Sequence, residues 1–186
     1  MKFILDIFLS LILVTFLSLP MIFIGLLVKL TSKGPALYWS DRVGRDCIIF
    51  KMPKFRTMVL DTPQVATHLM NEPDNFHTPI GEFLRKYSLD ELPQIFCIFN
   101  GSMALVGPRP ALFNQKDLID LREKKGVNIL KPGITGLAQV NGRDEMTIPV
   151  KVRYDEDYLL NSSIRLDVYI LWLTLLKVLK KEGVSH

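Results

Sequence analysis

FILDIFLSLILVTFLSLPMIFIGLLVKL, residues Phe3 to Leu30, is apolar along its length apart from Asp6, Lys29, one proline and a few Ser, Thr and Gly. About 20 apolar residues are enough to span a bilayer as a helix, so this stretch marks a membrane-associated chain rather than a freely soluble domain. A cleaved secretory signal is a poor match. Such a signal has a short apolar region and a small-residue cleavage site, whereas this one ends in Lys29-Leu30-Thr31-Ser32-Lys33-Gly34-Pro35. Pro20, in the middle, removes a backbone donor and crowds the preceding turn, and Ser18 is placed to rebond a nearby carbonyl, so a kink is expected. Lys2 and Asp6 at one end and Lys29 and Lys33 at the other suit a single interface. Two readings stand: a helix that crosses the membrane, and one that bends at Pro20 and returns to the side it entered.

Working outward, the 186 residues are 48% hydrophobic and 23% charged with mean hydropathy +0.22, which excludes an intrinsically disordered chain. Residues 31–186 are long enough to bury a core of their own. They contain no repeat, low-complexity run or evident linker, so one compact domain follows the membrane segment over residues 1–30. The net charge of +4 comes without basic residues interleaved with aromatics, which argues against a nucleic-acid partner. Residues 31–60 hold six Lys/Arg against Asp41 and Asp46, and basic residues beside a membrane segment favour the cytoplasmic face. Cys97 lies within Ile95-Phe96-Cys97-Ile98-Phe99, where a buried free thiol is expected, and a reducing compartment follows. His68, His77 and His186 have no zinc-ligand spacing.

The local pattern is α+β and rich in helix. Tyr38 to Met58 reads as strands, residues 59–78 as a short helix and loop, and Ile80 to Tyr87 as a helix. Leu92 to Phe99 starts another apolar element, Leu112 to Lys125 is an amphipathic helix, and 100–110 and 131–143 are rich in turn residues. Val168 to Leu176 is apolar and flanked by Arg165, Asp167, Lys177, Lys180 and Lys181. It is too short to span, and Tyr169 and Trp172 suit either a helix at headgroup depth near 164–181 or an ordinary core helix.

Asp90-Glu91-Leu92-Pro93 places two carboxylates just ahead of a proline that a first helical turn tolerates, which makes Asp90 a natural N-cap. Adjacent helical residues do not face one another, so the pair can converge only at the end of an element, where backbone donors also favour anions. A capping role and a catalytic pair are both compatible with that. Gly107-Pro108-Arg109-Pro110 holds one arginine between two prolines, which suits a pre-ordered guanidinium for phosphate as well as a plain turn. Lys54, Arg56 and Arg143 raise the same question, and their convergence would imply a ligand with two or more phosphates.

Lys54-Phe55-Arg56-Thr57-Met58, Ser88-Leu89-Asp90-Glu91-Leu92-Pro93-Gln94, Val106-Gly107-Pro108-Arg109-Pro110 and Lys131-Pro132-Gly133-Ile134-Thr135-Gly136 followed by Ala138-Gln139-Val140 occur in this order. With the apolar N-terminus, they make the chain resemble the bacterial sugar transferase family of monotopic phosphoglycosyl transferases. The resemblance implies an enzyme at the cytoplasmic face of the bacterial inner membrane. Such an enzyme moves a sugar 1-phosphate from a UDP-sugar to undecaprenyl phosphate, releases UMP and begins glycoconjugate assembly for downstream glycosyltransferases to extend. It further implies a re-entrant helix over residues 1–30 and a small α/β catalytic domain over 31–186. Asp90 is then the nucleophile and Glu91 helps hold Mg²⁺, with both carboxylates as the metal pair, while Lys54, Arg56, Arg85, Arg109, Gln139 and Arg143 contact substrate. A homodimer is compatible with this reading.

Two departures stand out. Ser102 in Gly101-Ser102-Met103 replaces an acid usual in the family, and Leu19 separates Ser18 from Pro20 where serine often precedes proline directly. Gly142-Arg143-Asp144-Glu145 and the last five residues resemble members that use N-acetylated amino sugars. Ser102 and the small size also motivate an alternative, a non-catalytic membrane subunit that binds a nucleotide or lipid diphosphate, and the same Mg²⁺ and arginines would equally serve a membrane diphosphate hydrolase.

Overall fold

A computed structural model of the chain describes residues 2–59, 62, 76–142 and 146–180. Most of the stretch read as helix and loop at 59–78 lies outside the described residues, as do Arg143 and the chain beyond residue 180. In chain order the elements are α1 (Lys2–Thr31), β1 (Leu37–Val43), β2 (Ile49–Phe55), α2 (Gly81–Lys86), a 3-10 helix (Leu89–Ile95), α3 (Phe96–Phe99), β3 (Ala104–Val106) and β4 (Ala111–Leu112). Then follow α4 (Lys116–Lys124), β5 (Gly133–Thr135), α5 (Leu137–Asn141), α6 (Ile148–Asn161) and α7 (Ile164–Lys180).

Helix α1 is continuous through Pro20, about 45 Å of helix at 1.5 Å per residue. In the turns before Pro20, side-chain hydroxyls bond back to the helix: Ser18 Oγ donates to the Thr15 carbonyl at 3.0 Å and Thr15 Oγ to that of Leu11 at 2.9 Å. Its buried residues, Asp6, Ser10, Met21, Ile24 and Val28, follow helical spacing and form one seam against the rest of the molecule. The opposite face exposes Phe8, Leu11, Phe16, Leu19, Ile22, Phe23, Leu26 and Leu30. The helix is long and apolar enough to cross a membrane.

Both ends of α1 are tied to the same body. At the first, Lys2 Nζ pairs with Asp167 Oδ2 at 2.9 Å, donates to the Val106 carbonyl at 3.2 Å and donates to the Tyr158 hydroxyl. Tyr158 Oη donates in turn to Asp167 Oδ1 at 2.5 Å. At the other end Met21, Ile24 and Val28 pack with Phe55 and Leu84, and Arg56 donates to the Ser32 carbonyl and hydroxyl at 3.0 and 2.7 Å and to the Lys33 carbonyl. These bonds fasten the two residues that follow α1 to the end of β2.

Strands β1 and β2 form an antiparallel hairpin in the register Leu37↔Phe55, Ser40↔Met52, Val43↔Ile49, and β4 adds to the free edge of β1. The tip, Arg45–Cys47, holds Asp46 and Cys47 at φ 53° and 60°. The turn-rich reading of 100–110 and 131–143 misses a second, parallel pair, β3 with β5. Strand signals fade there because each strand has only three residues and the turn residues around them dominate the pattern. The amphipathic helix begins at Lys116 rather than Leu112, since Leu112 pairs with Arg42 across the sheet. Asp90 is not an N-cap: the 3-10 helix starts at Leu89 after Ser88, whose left-handed φ of 54° turns the chain there.

The main core gathers Met52, Ile98, Met103, Val106, Tyr158 and Ile170, with Ile7, Leu9 and Val14 of α1 packed on it. Cys97 is buried and free, and burial pushes its thiol up to about 11. On α7 the residues Val168, Tyr169, Trp172, Leu175 and Val178 form an outward stripe left uncovered by the described residues.

Beyond β3 and β5 the backbones lie against each other. Gly107 N–H donates to the Thr135 carbonyl and Gly133 N–H to that of Pro108, both at 2.9 Å. A Cβ at Gly133 would stand 2.1 Å from the Gly107 nitrogen, and one at Gly136 2.1 Å from the Gly107 oxygen. Only glycine permits that approach. Gly133→Ala is therefore expected to force the segments apart and lower stability by about 1–3 kcal/mol, read as a shift in thermal unfolding of the detergent-solubilised protein.

Candidate functional site

The 3-10 helix turns Asp90 and Glu91 inward. Asp90 is 7% exposed. Lys54, from the inner face of β2, places Nζ 2.7 Å from Glu91 Oε1 and 4.0 Å from Asp90 Oδ2. Arg109 approaches Glu91 with both guanidinium ends, Nη2 to Oε1 at 2.9 Å and Nη1 to Oε2 at 3.5 Å. A fork on a carboxylate gives directional, charge-assisted bonds. Arg85, near the end of α2, adds its charge to the field at Asp90, and its Nη1 lies 3.2 Å from His77 Nε2.

The two carboxyls are therefore unequal. Burial opposes ionisation of Glu91, but Arg109 and Lys54 outweigh it and hold the carboxyl well below its ordinary value. Burial pushes Asp90 above its ordinary value; Lys54 opposes this, while the neighbouring Glu91 charge reinforces it. Glu91 takes the shortest contacts to Lys54 and Arg109, and Asp90 meets Lys54 at 4.0 Å.

Arg109 is itself held from behind. Arg122 on α4 donates Nη1 to the Arg109 carbonyl at 2.8 Å, while its Nε and Nη2 bond Asp155 Oδ2 on α6 at 2.9 and 2.7 Å. Both members of this pair are buried. On β1, Arg42 donates Nη1 to the Pro110 carbonyl at 3.2 Å and Nε to Ser40 Oγ at 3.0 Å. Successive carbonyls of the Arg109-Pro110 segment are thus gripped by guanidinium groups from two elements.

Of the residues singled out in the sequence, the fold brings Lys54, Arg85 and Arg109 to the Asp90-Glu91 pair. Arg56 is spent on the end of α1. Gln139 donates Nε2 to the Ile134 carbonyl at 3.2 Å and lies against Gly136, so it supports the β5 turn. Sequence reasoning missed Arg42, Asp155 and the roles of Arg122 and His77. One sign was present: Arg122 follows Leu118 by four positions, which puts an arginine on the buried face of α4. Among the described residues no group of three or more His, Cys, Asp and Glu forms a metal cage.

The chain matches the bacterial sugar transferase family over residues 1–181. It is 38% identical to the undecaprenyl-phosphate galactose phosphotransferase of Salmonella typhimurium, over 81% of this chain and 34% of that protein. It is also 38% identical to the UDP-glucose:undecaprenyl-phosphate glucose-1-phosphate transferase of Escherichia coli, over 92% of this chain and 39% of that protein. With the UDP-N-acetylgalactosamine-undecaprenyl-phosphate N-acetylgalactosaminephosphotransferase of Aeromonas hydrophila it shares 33% identity, over 96% and 43%. The chain spans between a third and under half of the length of these relatives. On the family match and these identities, the chain belongs to the bacterial sugar transferase family.

Proposed function

We propose that this protein transfers a sugar 1-phosphate from a UDP-sugar to undecaprenyl phosphate, releasing UMP, through a covalent phosphosugar on Asp90. The observation that carries the reading is the unequal carboxyl pair: Glu91 locked between Lys54 and Arg109, Asp90 beside it buried and less compensated. An Asp90 carboxylate oxygen attacks the phosphorus next to the sugar. The diphosphate bridge breaks, UMP leaves with the bridging oxygen, and an acyl phosphate remains. The lipid phosphate then attacks the same phosphorus and returns the carboxylate, with a lipid diphosphate sugar as product. Lys54, Arg85 and Arg109 offset the repulsion between an anionic nucleophile and a diphosphate.

Mg²⁺ suits the hard oxygen donors of Asp90 and Glu91, since this ion takes one or two carboxylates and fills its remaining positions from phosphates and water. Bound there it would neutralise charge on the phosphates. The sugar we assign is an N-acetylated amino sugar, on the Gly142–Glu145 stretch and the last five residues. The relatives named for galactose, glucose and N-acetylgalactosamine define the panel against which to test it.

For topology we favour the re-entrant reading, in which α1 dips into one leaflet and α7 lies at headgroup depth on the cytoplasmic face of the inner membrane. Its support is that Lys2 and Ser32, at opposite ends of α1, are bonded to one body, while the uncovered faces of α1 and α7 are apolar. Phe3→Cys and Lys33→Cys, each in a Cys47→Ser background, are expected to react with an impermeant thiol reagent from the cytoplasmic side alone; labelling from opposite sides overturns this topology.

UMP release by the purified protein with Mg²⁺ is expected to require both a UDP-sugar and undecaprenyl phosphate. Binding without release would instead indicate a non-catalytic subunit, and release without lipid product a hydrolase. Asp90→Asn should lower transfer by at least about 10³-fold. The same variant should melt higher at neutral pH. A carboxyl whose folded pKa is raised favours folding only at low pH and opposes it once both states are ionised, so its removal relieves that cost.

The buried Arg122–Asp155 pair is expected to act through Arg109. Replacing both partners, Arg122→Met with Asp155→Leu, avoids an orphaned charge and should leave unfolding within a few degrees of wild type. Transfer should fall about 10-fold, and not further when Arg109→Ala is already present; additive losses would place the role of the pair elsewhere.

A further inference from the structure

Arg42 is a partly buried guanidinium with no carboxylate paired to it among the described residues. Its Nε and Nη1 serve Ser40 and the Pro110 carbonyl, and it makes no ion pair with any described residue. Its Nη2 has no protein partner among the described residues and is not among the atoms shut off from solvent. Leaving a sheltered charge unanswered costs free energy unless a ligand supplies the counterion.

The surroundings indicate what that ligand is. In the hairpin register Tyr38 opposes Lys54 and Arg42 opposes Phe50, so Arg42 lies on the same face of the sheet as Lys54, the partner of Glu91. Burial, and after it the Arg109 guanidinium, lower the Arg42 pKa to about 10, with Glu91 and Tyr38 acting the other way. Two guanidinium groups close enough to disfavour each other's charge are a fitting seat for an anion between them. Among the described residues, Arg42, Lys54 and Arg109 bring positive charge to the side of the sheet that meets Glu91. The diphosphate of a nucleoside diphosphate sugar, with about two negative charges, suits a seat lined by guanidinium groups.

We infer that Arg42 is a substrate-binding residue which, beside Arg109, holds the second phosphate of the donor diphosphate, using the Nη2 edge that the fold leaves free. The inference rests on the transferase reading above and extends it to β1. Because Arg42 and Arg122 grip neighbouring carbonyls, the two phosphate-facing arginines share one backbone segment, and the spacing between them is set before substrate arrives.

The test is equilibrium binding of UDP, UMP and farnesyl phosphate to the full-length protein in detergent, wild type against Arg42→Gln and Arg42→Lys, with thermal unfolding as the folding control. Wild type is expected to prefer UDP to UMP. Arg42→Gln should weaken UDP by about 10-fold or more while changing UMP and farnesyl phosphate by less than about two-fold, which erases the preference. Arg42→Lys keeps the charge without the fork and should fall between, and it decides the matter if the glutamine variant does not fold. A folded variant that binds UDP as tightly as wild type overturns the assignment, as does a loss confined to farnesyl phosphate. Wild-type protein that binds neither nucleotide overturns the donor reading itself, and this assignment with it.

Discussion

A carboxylate taken out of water needs countercharge, and in this protein Glu91 takes most of what is available. Lys54 and Arg109 close on it at 2.7 and 2.9 Å, which ties β2, the 3-10 helix and the Gly107–Pro110 turn to one point. The rest of the site follows from that commitment. Asp90, one residue earlier, is also sheltered but meets Lys54 at the longer distance of 4.0 Å, and it keeps the higher proton affinity of the two. Like charges set side by side with unequal partners are pushed apart in pKa.

Arg109 can hold Glu91 only if its own backbone does not yield. Prolines on both sides restrict it, the glycine contact with Lys131–Gly136 clamps the segment from beneath, and Arg42 and Arg122 take successive carbonyls. The Arg122–Asp155 pair is an expensive way to join two helices, since a buried ion pair contributes little net stability over well-packed apolar residues. Its geometry is better understood as orientation: a guanidinium held by Asp155 is itself aimed at one carbonyl oxygen. Rigidity in these supports is what lets a long side chain such as arginine act without losing much entropy on binding.

The apolar surface is divided in a similarly purposeful way. Helix α1 turns a seam of Asp6, Ser10, Met21, Ile24 and Val28 to the domain and a broad face of Phe, Leu and Ile away from it. Lys2 with Asp167 and Tyr158 at one end, and Arg56 with Ser32 at the other, fasten it to the body that carries the site. A carboxylate pair so connected to an apolar helix has a fixed depth relative to whatever that helix is dissolved in.

Much of this was legible in the order of residues. The long apolar segment, the strands within Tyr38 to Met58, the adjacent carboxylates and the arginine between prolines are local patterns, and local patterns report periodicity, backbone restriction and residue chemistry directly. Lys54 and Arg109 were recognisable as candidates on that basis, whereas Arg56 had the same appearance and turned out to hold the residues that follow α1. The β3–β5 pair was hidden because three-residue strands among glycines and prolines carry no period of their own. Arg42, Arg122 and Asp155 were hidden for a different reason: a charged residue becomes meaningful only through partners 68 or 33 positions away, and one-dimensional order does not encode which charges will be buried together. The sequence by itself determined the chemistry on offer and the attachment to an apolar phase; the tertiary structure alone decided which charges meet, because burial and countercharge are properties of three-dimensional neighbours.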